Sequence, residues 1–254
     1  MMLAILQART SSTRLPGKVL KPILGKPMLE RQLERLARVR QIDKLVVATS
    51  DNPDDNALAN LCDRIGFECF RGSLDDVLDR FYQTAIIHSA RNIVRLTGDC
   101  PVADPQVIDE IISHYLSGNF DYVSNTIEPT YPDGLDAEVF RFECLEQAWH
   151  EAKLPSQREH VTPFIWQQPD RFKLENHRCA ADFSHLRWTV DEPEDFKLIT
   201  AIYESLYSLN PEFAMNDILN WLHDNPEMVY VNQSFKRNEG LIKSFGKDGE
   251  VYHD

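Results

Sequence analysis

The chain has 254 residues with 43% hydrophobic content, enough to bury one large core, and its 40 acidic against 27 basic residues give a formal charge of -13. Such an acidic chain is a poor general binder of nucleic acid, whose phosphates repel it, and no apolar run approaches the roughly 20 residues that cross a membrane. The five cysteines form no Cys-x-x-Cys pair, so we expect neither a disulfide framework nor a cysteine zinc site, and we predict a cytoplasmic protein.

Strand and helix patterns alternate through the first half of the chain. Short apolar runs rich in β-branched residues predict buried strands over 3–8, 44–49 and 92–97. Capping residues and glycines predict helices between them: one beginning at Asp54-Asp55 and ending before Gly66, one beginning at Ser73 and Asp76, and one from Asp104-Pro105 to about Leu116. This alternation indicates an α/β fold with a mainly parallel sheet, whose ligand site lies at the carboxyl ends of the strands.

The pattern loosens from about Asp121. Two short strands flank the turn Pro132-Asp133-Gly134, helices are predicted over 141–152 and 157–167, and a strand over 186–190 precedes a helix from Pro193. We therefore predict one domain over 1–230, with a small antiparallel insertion or lobe inside it. The tail, 231–254, is polar and weakly patterned, and a disordered end, a dimer arm and a lid are all open interpretations.

The basic residues are concentrated near the start of the chain. Residues 1–29 carry five Lys or Arg and no acid, so this segment is +5 whereas the remainder is -18. The loop after the first strand reads A-R-T-S-S-T-R-L-P-G-K over 8–18. Small residues let backbone N–H groups approach an anion, while Arg14 and Lys18 can bind phosphate oxygens. A solvated basic face is the alternative, but the spacing fits neither Walker A nor the dinucleotide fingerprint, and we predict a triphosphate site.

Three ordered segments resemble one enzyme family. The loop pattern A-R-x-x-S-x-R-L-P-G-K over 8–18, T-G-D-C-P over 97–101 and V-D-E-P-E-D-F over 190–196 are similar to CMP-sugar synthetases, the cytidylyltransferases that activate Kdo and related acidic sugars. The resemblance is greatest to the spore coat polysaccharide biosynthesis branch, with Y-P-D-G-L-D over 131–136 and R-E-H-V-T-P over 158–163. It spans about residues 2–230.

The resemblance implies a GT-A-like, Rossmann-like nucleotidyltransferase domain that transfers CMP from CTP to an anionic acceptor, either an acidic sugar or a phosphorylated compound, and releases pyrophosphate. We expect Mg²⁺, or Mn²⁺ in its place, as cofactor. We also expect a homodimer, with residues 121–180 as the part that binds the acceptor or the second subunit.

Four residues carry the predicted chemistry: Arg14 and Lys18 bind the β- and γ-phosphates, while Asp99 and Asp191 bind the metal. Asp99 follows a predicted strand, although capping the next turn is the alternative for it. Asp191 precedes Pro193, where a carboxylate is also an ordinary helix cap. Since parallel strands deliver their carboxyl ends to one edge, we predict that the two aspartates converge.

Two further sets complete the predicted site. The nucleotide-binding set is Ala8, Arg9, Thr10, Ser12, Arg14, Lys18, Thr49, Asp51, Thr97 and Gly98; the substrate-binding set is Asp133, Gly134, Asp136, Glu138, Arg158 and His160. Each group has an alternative interpretation. Thr49 and Asp51 could serve only as turn residues, and the acidic residues of 133–138 could form a solvated hairpin. His160 could simply cap a helix.

Two other functions share these features. A nucleotide-sugar-dependent glycosyltransferase also binds a diphosphate with metal on such a sheet, but that class usually carries an Asp-x-Asp pair, which Gly98-Asp99-Cys100 lacks. A non-catalytic nucleotide sensor would keep the phosphate loop and need neither aspartate. The presence of Asp99 and Asp191 favours the enzyme.

Overall fold

A computed structural model of the chain, which describes residues 1–249, shows helices packed on both faces of a seven-stranded sheet. The strand order is β5-β4-β1-β6-β8-β7-β9. The strands of this sheet are β1 Met2–Gln7, β4 Lys44–Ser50, β5 Glu68–Gly72, β6 Asn92–Thr97, β7 Tyr122–Ser124, β8 Glu138–Arg141 and β9 Leu174–Asn176; β2 Pro22–Ile23 and β3 Lys26–Pro27 form a separate small hairpin. The predicted mainly parallel α/β sheet is confirmed.

The central strands are buried on both faces, which explains their nearly continuous apolar sequence. β1 pairs in parallel with β4 on one side and with β6 on the other, so that Ile5 lies between Val46 and Arg95. Side chains that alternate along β1 enter two separate apolar clusters, one on each face of the sheet. The carboxyl ends of β1, β4 and β6 therefore lie at one edge.

Ten α-helices lie within the described residues. They are α1 Met28–Leu36, α2 Asn56–Ile65, α3 Val77–Ile87, α4 Pro105–Ser117, α5 Phe142–Glu151, α6 Pro155–His160, α7 Pro163–Trp166, α8 Pro193–Leu206, α9 Met215–Asp224 and α10 Glu239–Asp248. The expected start and stop signals are confirmed at two of them. Gly66 ends α2 with φ at +78°, and the Asp104 carboxylate accepts a hydrogen bond from Gln106 N at 2.9 Å at the start of α4.

The second half differs from the sequence prediction in three places. β7 and β8 are antiparallel as expected, but they extend the main sheet next to β6 and form no separate lobe within residues 1–249. The helix predicted over 157–167 is broken at Val161, whose φ is +71°, into α6 and α7. The strand predicted over 186–190 is wrong, because this extended segment makes a single bridge, from Arg187 to Asp133.

The tail beyond residue 230 contains helix α10, which packs against α6. Residues 250–254, the end of the tail defined from the sequence, lie outside the described residues. Among residues 1–249, no helix is long and apolar enough to cross a membrane.

Candidate active site

A cavity of about 540 Å³ opens at the carboxyl ends of β1 and β6. Its walls come from the loop after β1, the segment after β6, the turn before β8, helix α6, the segment before α8, and helix α10. Eight basic and six acidic side chains of the described residues line it, in a chain whose total charge is -13. The cavity is thus a locally basic site on an acidic protein, as an anionic ligand requires.

The loop after β1 is fixed in shape by an acid from a neighbouring segment. Asp55, buried after β4, accepts hydrogen bonds from Thr10 N and Oγ1, both at 2.7 Å, and from the Ser50 hydroxyl. Burial alone would raise the pKa of Asp55, but these hydrogen bonds outweigh it and hold the pKa below its ordinary value. The loop closes where Gly17, with φ at +66°, donates to Thr10 O at 3.0 Å. Thr10 thus anchors the loop from outside the cavity.

Lys18 lies between the two predicted metal-binding aspartates. Only 9% of this residue is exposed, and its Nζ donates to Asp191 Oδ1 and to Val190 O, both at 2.7 Å. The same Nζ lies 3.7 Å from Asp99 Oδ2. The ammonium group therefore joins the loop after β1 to residues that are more than 80 positions away.

Arg14 lies on the other side of Asp191. Its Nη2 is 2.9 Å from Asp191 Oδ2, and its Nη1 is 3.3 Å from Glu192 and 3.6 Å from Glu239 of α10. Burial works to raise the pKa of Asp191, but the charges of Lys18 and Arg14 outweigh burial and hold that pKa below its ordinary value. Asp191 is therefore ionised, and both of its oxygens are paired with cations that line the cavity.

Asp99 and Asp191 do come together, but not by the route expected from the sequence. Asp99 follows β6, whereas Asp191 follows the segment 186–190, which bridges to Asp133 but belongs to no strand of the sheet. That segment reaches the site because Val190 N donates to Asp99 O at 2.8 Å and Thr189 Oγ1 donates to the same oxygen at 3.2 Å. These two hydrogen bonds join segments far apart in the sequence and take the place of sheet pairing.

Asp195 performs the capping that the sequence allowed for Asp191. Its fully buried carboxylate accepts from Asp191 N and Glu192 N, both at 2.9 Å, and binds Arg187 through two contacts of 2.9 Å. Asn232 Nδ2 donates to it at 2.8 Å. The Asp191 side chain is thereby left to face Lys18 and the cavity.

Gly98 permits the close approach of β6 to the loop. A Cβ at this position would lie 2.8 Å from Ala8 Cβ and 3.1 Å from Gln7 O. The predicted residues Ala8, Arg9, Ser12, Thr97 and Gly98 all line the cavity. Thr49 and Asp51 are absent from the cavity lining within residues 1–249: Thr49 is fully buried and Asp51 is exposed.

Asp133 and Asp136 line the cavity and are paired with two arginines, of which Arg187 also lines it and contacts Asp191 Oδ2 at 3.4 Å. Arg187 Nη1 donates to Asp133 Oδ2 at 3.0 Å, and Arg237 binds Asp136. Burial and the neighbouring charge of Asp136 raise the pKa of Asp133 to about 7, against the opposing effect of the two arginines. Burial also raises the pKa of Asp136. Burial therefore favours the protonated form of both carboxyls, and Asp133 exchanges its proton near neutral pH.

Three residues of the predicted substrate-binding set make structural contacts elsewhere. Gly134, with φ at +110°, passes so close to the 186–190 segment that a Cβ would lie 2.5 Å from Thr189 N. The buried Glu138 carboxylate accepts from Tyr122 OH at 2.6 Å and from Thr162 Oγ1 at 2.7 Å. Gly134, Glu138 and Arg158 are all absent from the cavity lining found within residues 1–249.

Arg158 binds Asp76 and the Trp149 carbonyl, at 2.9 Å in the latter case, and so ties α6 to α3 and α5. His160, two residues later, does line the cavity, with its Nε2 at 2.9 Å from Ser244 Oγ of α10. Burial, with the charge of Arg95, lowers the pKa of His160 to about 4, so its imidazole is neutral at pH 7. His160 is thus a link between the two helices.

Several lining residues were not predicted. Arg80 of α3 is 1% exposed, and burial together with the charge of Arg9 lowers its pKa to about 10. It lies within the apolar periodicity of its helix, so the pattern gives no sign of a ligand site. Lys243 and Lys247 of α10 also line the cavity, and their spacing of four residues is the one signal that could have placed both on one helix face.

The aspartates do not form a complete metal site by themselves. Among residues 1–249, no group of three or more His, Cys, Asp or Glu side chains is arranged to hold a metal ion. Asp99 and Asp191 supply two carboxylates on either side of Lys18. Such a pair fits Mg²⁺, which is commonly held by one or two carboxylates together with water and substrate phosphates.

Comparison with known proteins identifies the family of the chain. The cytidylyltransferase family model matches residues 3–212. The spore coat polysaccharide biosynthesis protein SpsF of Bacillus subtilis is 34% identical over 89% of this chain and 95% of its own. The 3-deoxy-manno-octulosonate cytidylyltransferase of Geobacter sulfurreducens is 39% identical over 43% of each chain.

Among solved structures, a cytidylyltransferase from Leptospira borgpetersenii superposes with a TM-score of 0.85 at 30% identity, covering 90% of this chain and 96% of the other. The matched family region contains the loop after β1, Asp99 and Asp191, and ends before α10. The chain belongs to the cytidylyltransferase family.

Proposed function

We propose that the protein transfers CMP from CTP to an acidic sugar or another anionic, phosphorylated acceptor, as a step in the synthesis of a cell-surface polysaccharide or glycoconjugate. The observation that carries the proposal is the position of Lys18, held between Asp99 and Asp191 at the mouth of a backbone loop suited to phosphate. Cations for a triphosphate and carboxylates for a metal thus adjoin one another in a basic cavity.

In the proposed reaction an acceptor oxygen attacks the α-phosphorus of CTP, the bond to the bridging oxygen breaks, and pyrophosphate leaves with the bonding electrons. Arg14 and Lys18 bind the β- and γ-phosphates and neutralise the charge that develops on the leaving group. Both are paired with Asp191 in the structure, so CTP binding exchanges a carboxylate partner for phosphate oxygens. Positioning and electrostatics supply most of the catalysis.

Asp99 and Asp191 would hold Mg²⁺, or Mn²⁺ in its place. Bound by these residues, a hard divalent cation would supply Lewis-acid stabilisation of the charge on the α-phosphate. The protein's own contribution is to keep both carboxylates at one place, through the hydrogen bond from Val190 N to Asp99 O and the Asp195 cap.

The acceptor is proposed to lie next to the nucleotide, between Asp133, Asp136 and helix α10. Lys243 and Lys247 present two positive charges from that helix, which suits a carboxylate or phosphate on the acceptor. An acceptor phosphate needs no general base. An acceptor hydroxyl does, and Asp133, with a pKa of about 7, is the candidate because a base works best near the pH of the reaction.

The test is release of pyrophosphate from CTP, UTP, GTP or ATP in the presence of acidic sugars, sugar phosphates and other phosphorylated compounds. CTP should be consumed only when a suitable acceptor is present, with formation of a CMP-linked product. Preference for another nucleotide, or consumption of a nucleotide sugar without pyrophosphate release, would contradict the proposal. The proposal also includes a cytoplasmic location and a homodimer. Light scattering in solution tests the homodimer.

A further inference from the structure

A separate cavity of about 170 Å³, lined by three arginines and two glutamates, lies between α1 and the connection from α8 to α9. Three arginines line it: Arg31 and Arg35 from α1, and Arg38 just after that helix. Their spacing of four and three residues puts them on one face. It shares no lining residue with the larger cavity among residues 1–249.

Arg31 is the arginine whose hydrogen bonds are largely satisfied. Its Nε donates to Ile23 O at 3.1 Å and its Nη2 to Leu24 O at 2.9 Å, while its guanidinium carbon lies 4.3 Å from the centre of the Tyr207 ring. Glu34 receives its Nη1 at 3.1 Å and is also paired with Lys26. The Arg31 guanidinium is therefore held in place by its own contacts and lines one side of the cavity.

Arg35 and Arg38 differ, because they have donors without acceptors. Arg35 is 3% exposed, its Nε donates to Ala103 O at 2.8 Å, and its guanidinium stacks 4.4 Å from the centre of the Phe213 ring. Both of its Nη atoms, and Nη2 of Arg38, are buried without a hydrogen-bond partner in residues 1–249. Buried N–H groups of a charged side chain are costly to leave unpaired, and native structures supply them with a partner.

We propose that this cavity binds a phosphate group, held by the free Nη donors of Arg35 and Arg38. The planar guanidinium fork matches phosphate oxygens, and two adjacent forks with unused donors suit a doubly charged oxyanion. The volume equals that of about five or six water molecules at about 30 Å³ each, which accommodates a phosphate group and little more. The ligand is either free phosphate or the phosphate of a small monoester.

Two residues that line the cavity donate hydrogen bonds to the segment that follows Asp99. Arg35 holds Ala103 O, and Tyr203, which also lines the cavity, donates its hydroxyl to Pro101 O at 2.7 Å. A bound phosphate would neutralise the arginine charges behind this segment. Phosphate should therefore raise the melting temperature of the folded chain.

Isothermal titration with inorganic phosphate tests the site, in an Arg14→Gln chain so that binding in the larger cavity is weakened. We expect binding of one phosphate, and an at least tenfold higher Kd when Arg38→Gln is added. Arg40→Gln, an exposed arginine two residues away, is the matched control and should leave the Kd unchanged within twofold. Absence of phosphate binding, or an equal Kd with and without Arg38→Gln, would overturn the proposal.

A second variant keeps the test decisive if Arg38→Gln does not fold. Glu212 is an exposed carboxylate at the cavity rim, so Glu212→Gln removes a repulsive charge and should lower the Kd for phosphate two- to fivefold. An unchanged or higher Kd would count against the site. Titration with glycerol 3-phosphate shows which source fits: tighter binding than inorganic phosphate identifies a monoester, and weaker binding identifies the free anion.

Discussion

The two sides of the larger cavity are built in different ways. The side proposed for the nucleotide consists of the loop after β1 and the segment after β6, both at the carboxyl edge of buried parallel strands. The side proposed for the acceptor consists of Asp133, Asp136, short helix α6 and helix α10, joined by ion pairs and hydroxyl contacts. The first side lies wholly within the matched family region, and α10 lies beyond it.

This difference separates two tasks. A transferred nucleotide presents the same triphosphate each time, so its site gains from rigid backbone set by the sheet. A surface made of side chains on short helices, as proposed for the acceptor, can change without disturbing the sheet. Variants on the two sides should therefore fail in different ways.

The largest effect is expected from the two aspartates on the nucleotide side. Asp99→Asn and Asp191→Asn each keep the size of the side chain but remove the charge that Mg²⁺ requires, and each should lower kcat at least about a hundredfold. Because the two residues act as one unit, the double variant should be little worse than the poorer single one. Steady-state pyrophosphate release at varied Mg²⁺ measures this.

Asp63→Asn, on the exposed face of α2, is the control and should behave as the parent protein. The structure assigns the capping of α8 to Asp195, so near-normal activity of Asp191→Asn would leave Asp99 without its proposed partner. The search for a second ligand would then move to Asp133 and Asp136, which also line the cavity.

Lys18→Met should give the next largest effect, and it should alter both activity and stability. From the sequence alone, a polar-loop cation is expected to act only through the triphosphate. The structure corrects that expectation, because Lys18 is 9% exposed and donates to Val190 O and Asp191. We expect an at least tenfold loss in kcat/KM for CTP and destabilisation of about 1.5 to 3 kcal/mol.

Denaturant unfolding together with kinetics separates the two effects. Lys21→Met, in the same loop region but without an ion pair among the described residues, is a suitable control. A Lys18→Met protein that loses stability yet turns over CTP normally would show that the ammonium group only holds the segments together.

The sequence predicts the nucleotide part of the cavity better than the acceptor part. The sequence predicts strand β6 and the cap at Asp104 correctly. Burial on both faces of a strand and the start of a helix each leave a pattern in neighbouring residues. The apolar run 186–190 predicts a strand because an apolar pattern reports burial, but Val190 is buried without pairing in the sheet. No local pattern shows that Asp195 and Arg187 organise this segment, since their contact depends on the tertiary fold.

Helix α10 shows the limit on the acceptor side. Its contacts include polar ones, such as Ser156 Oγ donating to Asp248 Oδ2 at 2.6 Å and Ser244 contacting His160 and Glu159, and an edge-on contact of Phe245 with Trp166. These contacts join segments that are far apart in the sequence, so no local pattern shows where the helix packs. The sequence alone therefore allows a disordered end, an arm or a lid for the tail.

On the acceptor side, Lys243→Gln and Lys247→Gln should affect acceptor binding alone. Each removes one charge that faces the cavity, so the KM for the acceptor should rise about three- to tenfold while the KM for CTP stays within twofold. Lys236→Gln, an exposed lysine in the same tail, should change neither value. A matching rise in the KM for CTP would show that α10 contacts the triphosphate instead.

The smallest expected effect is the pH dependence, and it distinguishes the two kinds of acceptor. Burial and Asp136 raise the pKa of Asp133 to about 7 from an ordinary value near 4, so this carboxyl is mostly protonated at pH 6 and mostly ionised at pH 8. Only the ionised form accepts a proton. With a hydroxyl acceptor, kcat/KM should rise severalfold from pH 6 to pH 8, with a midpoint near 7.

Arg237 holds the pKa of Asp133 down, so Arg237→Gln should move that midpoint to higher pH, whereas Asp133→Asn should remove the dependence together with most of the rate. Because Asp133 and Asp136 interact, the measured midpoint belongs to the pair. A phosphate acceptor predicts the opposite: its oxygen is ionised without help, and the rate should follow the acceptor's own titration in both the parent and Asp133→Asn. A pH profile that Arg237→Gln does not shift would therefore exclude Asp133 as the base and favour a phosphorylated acceptor.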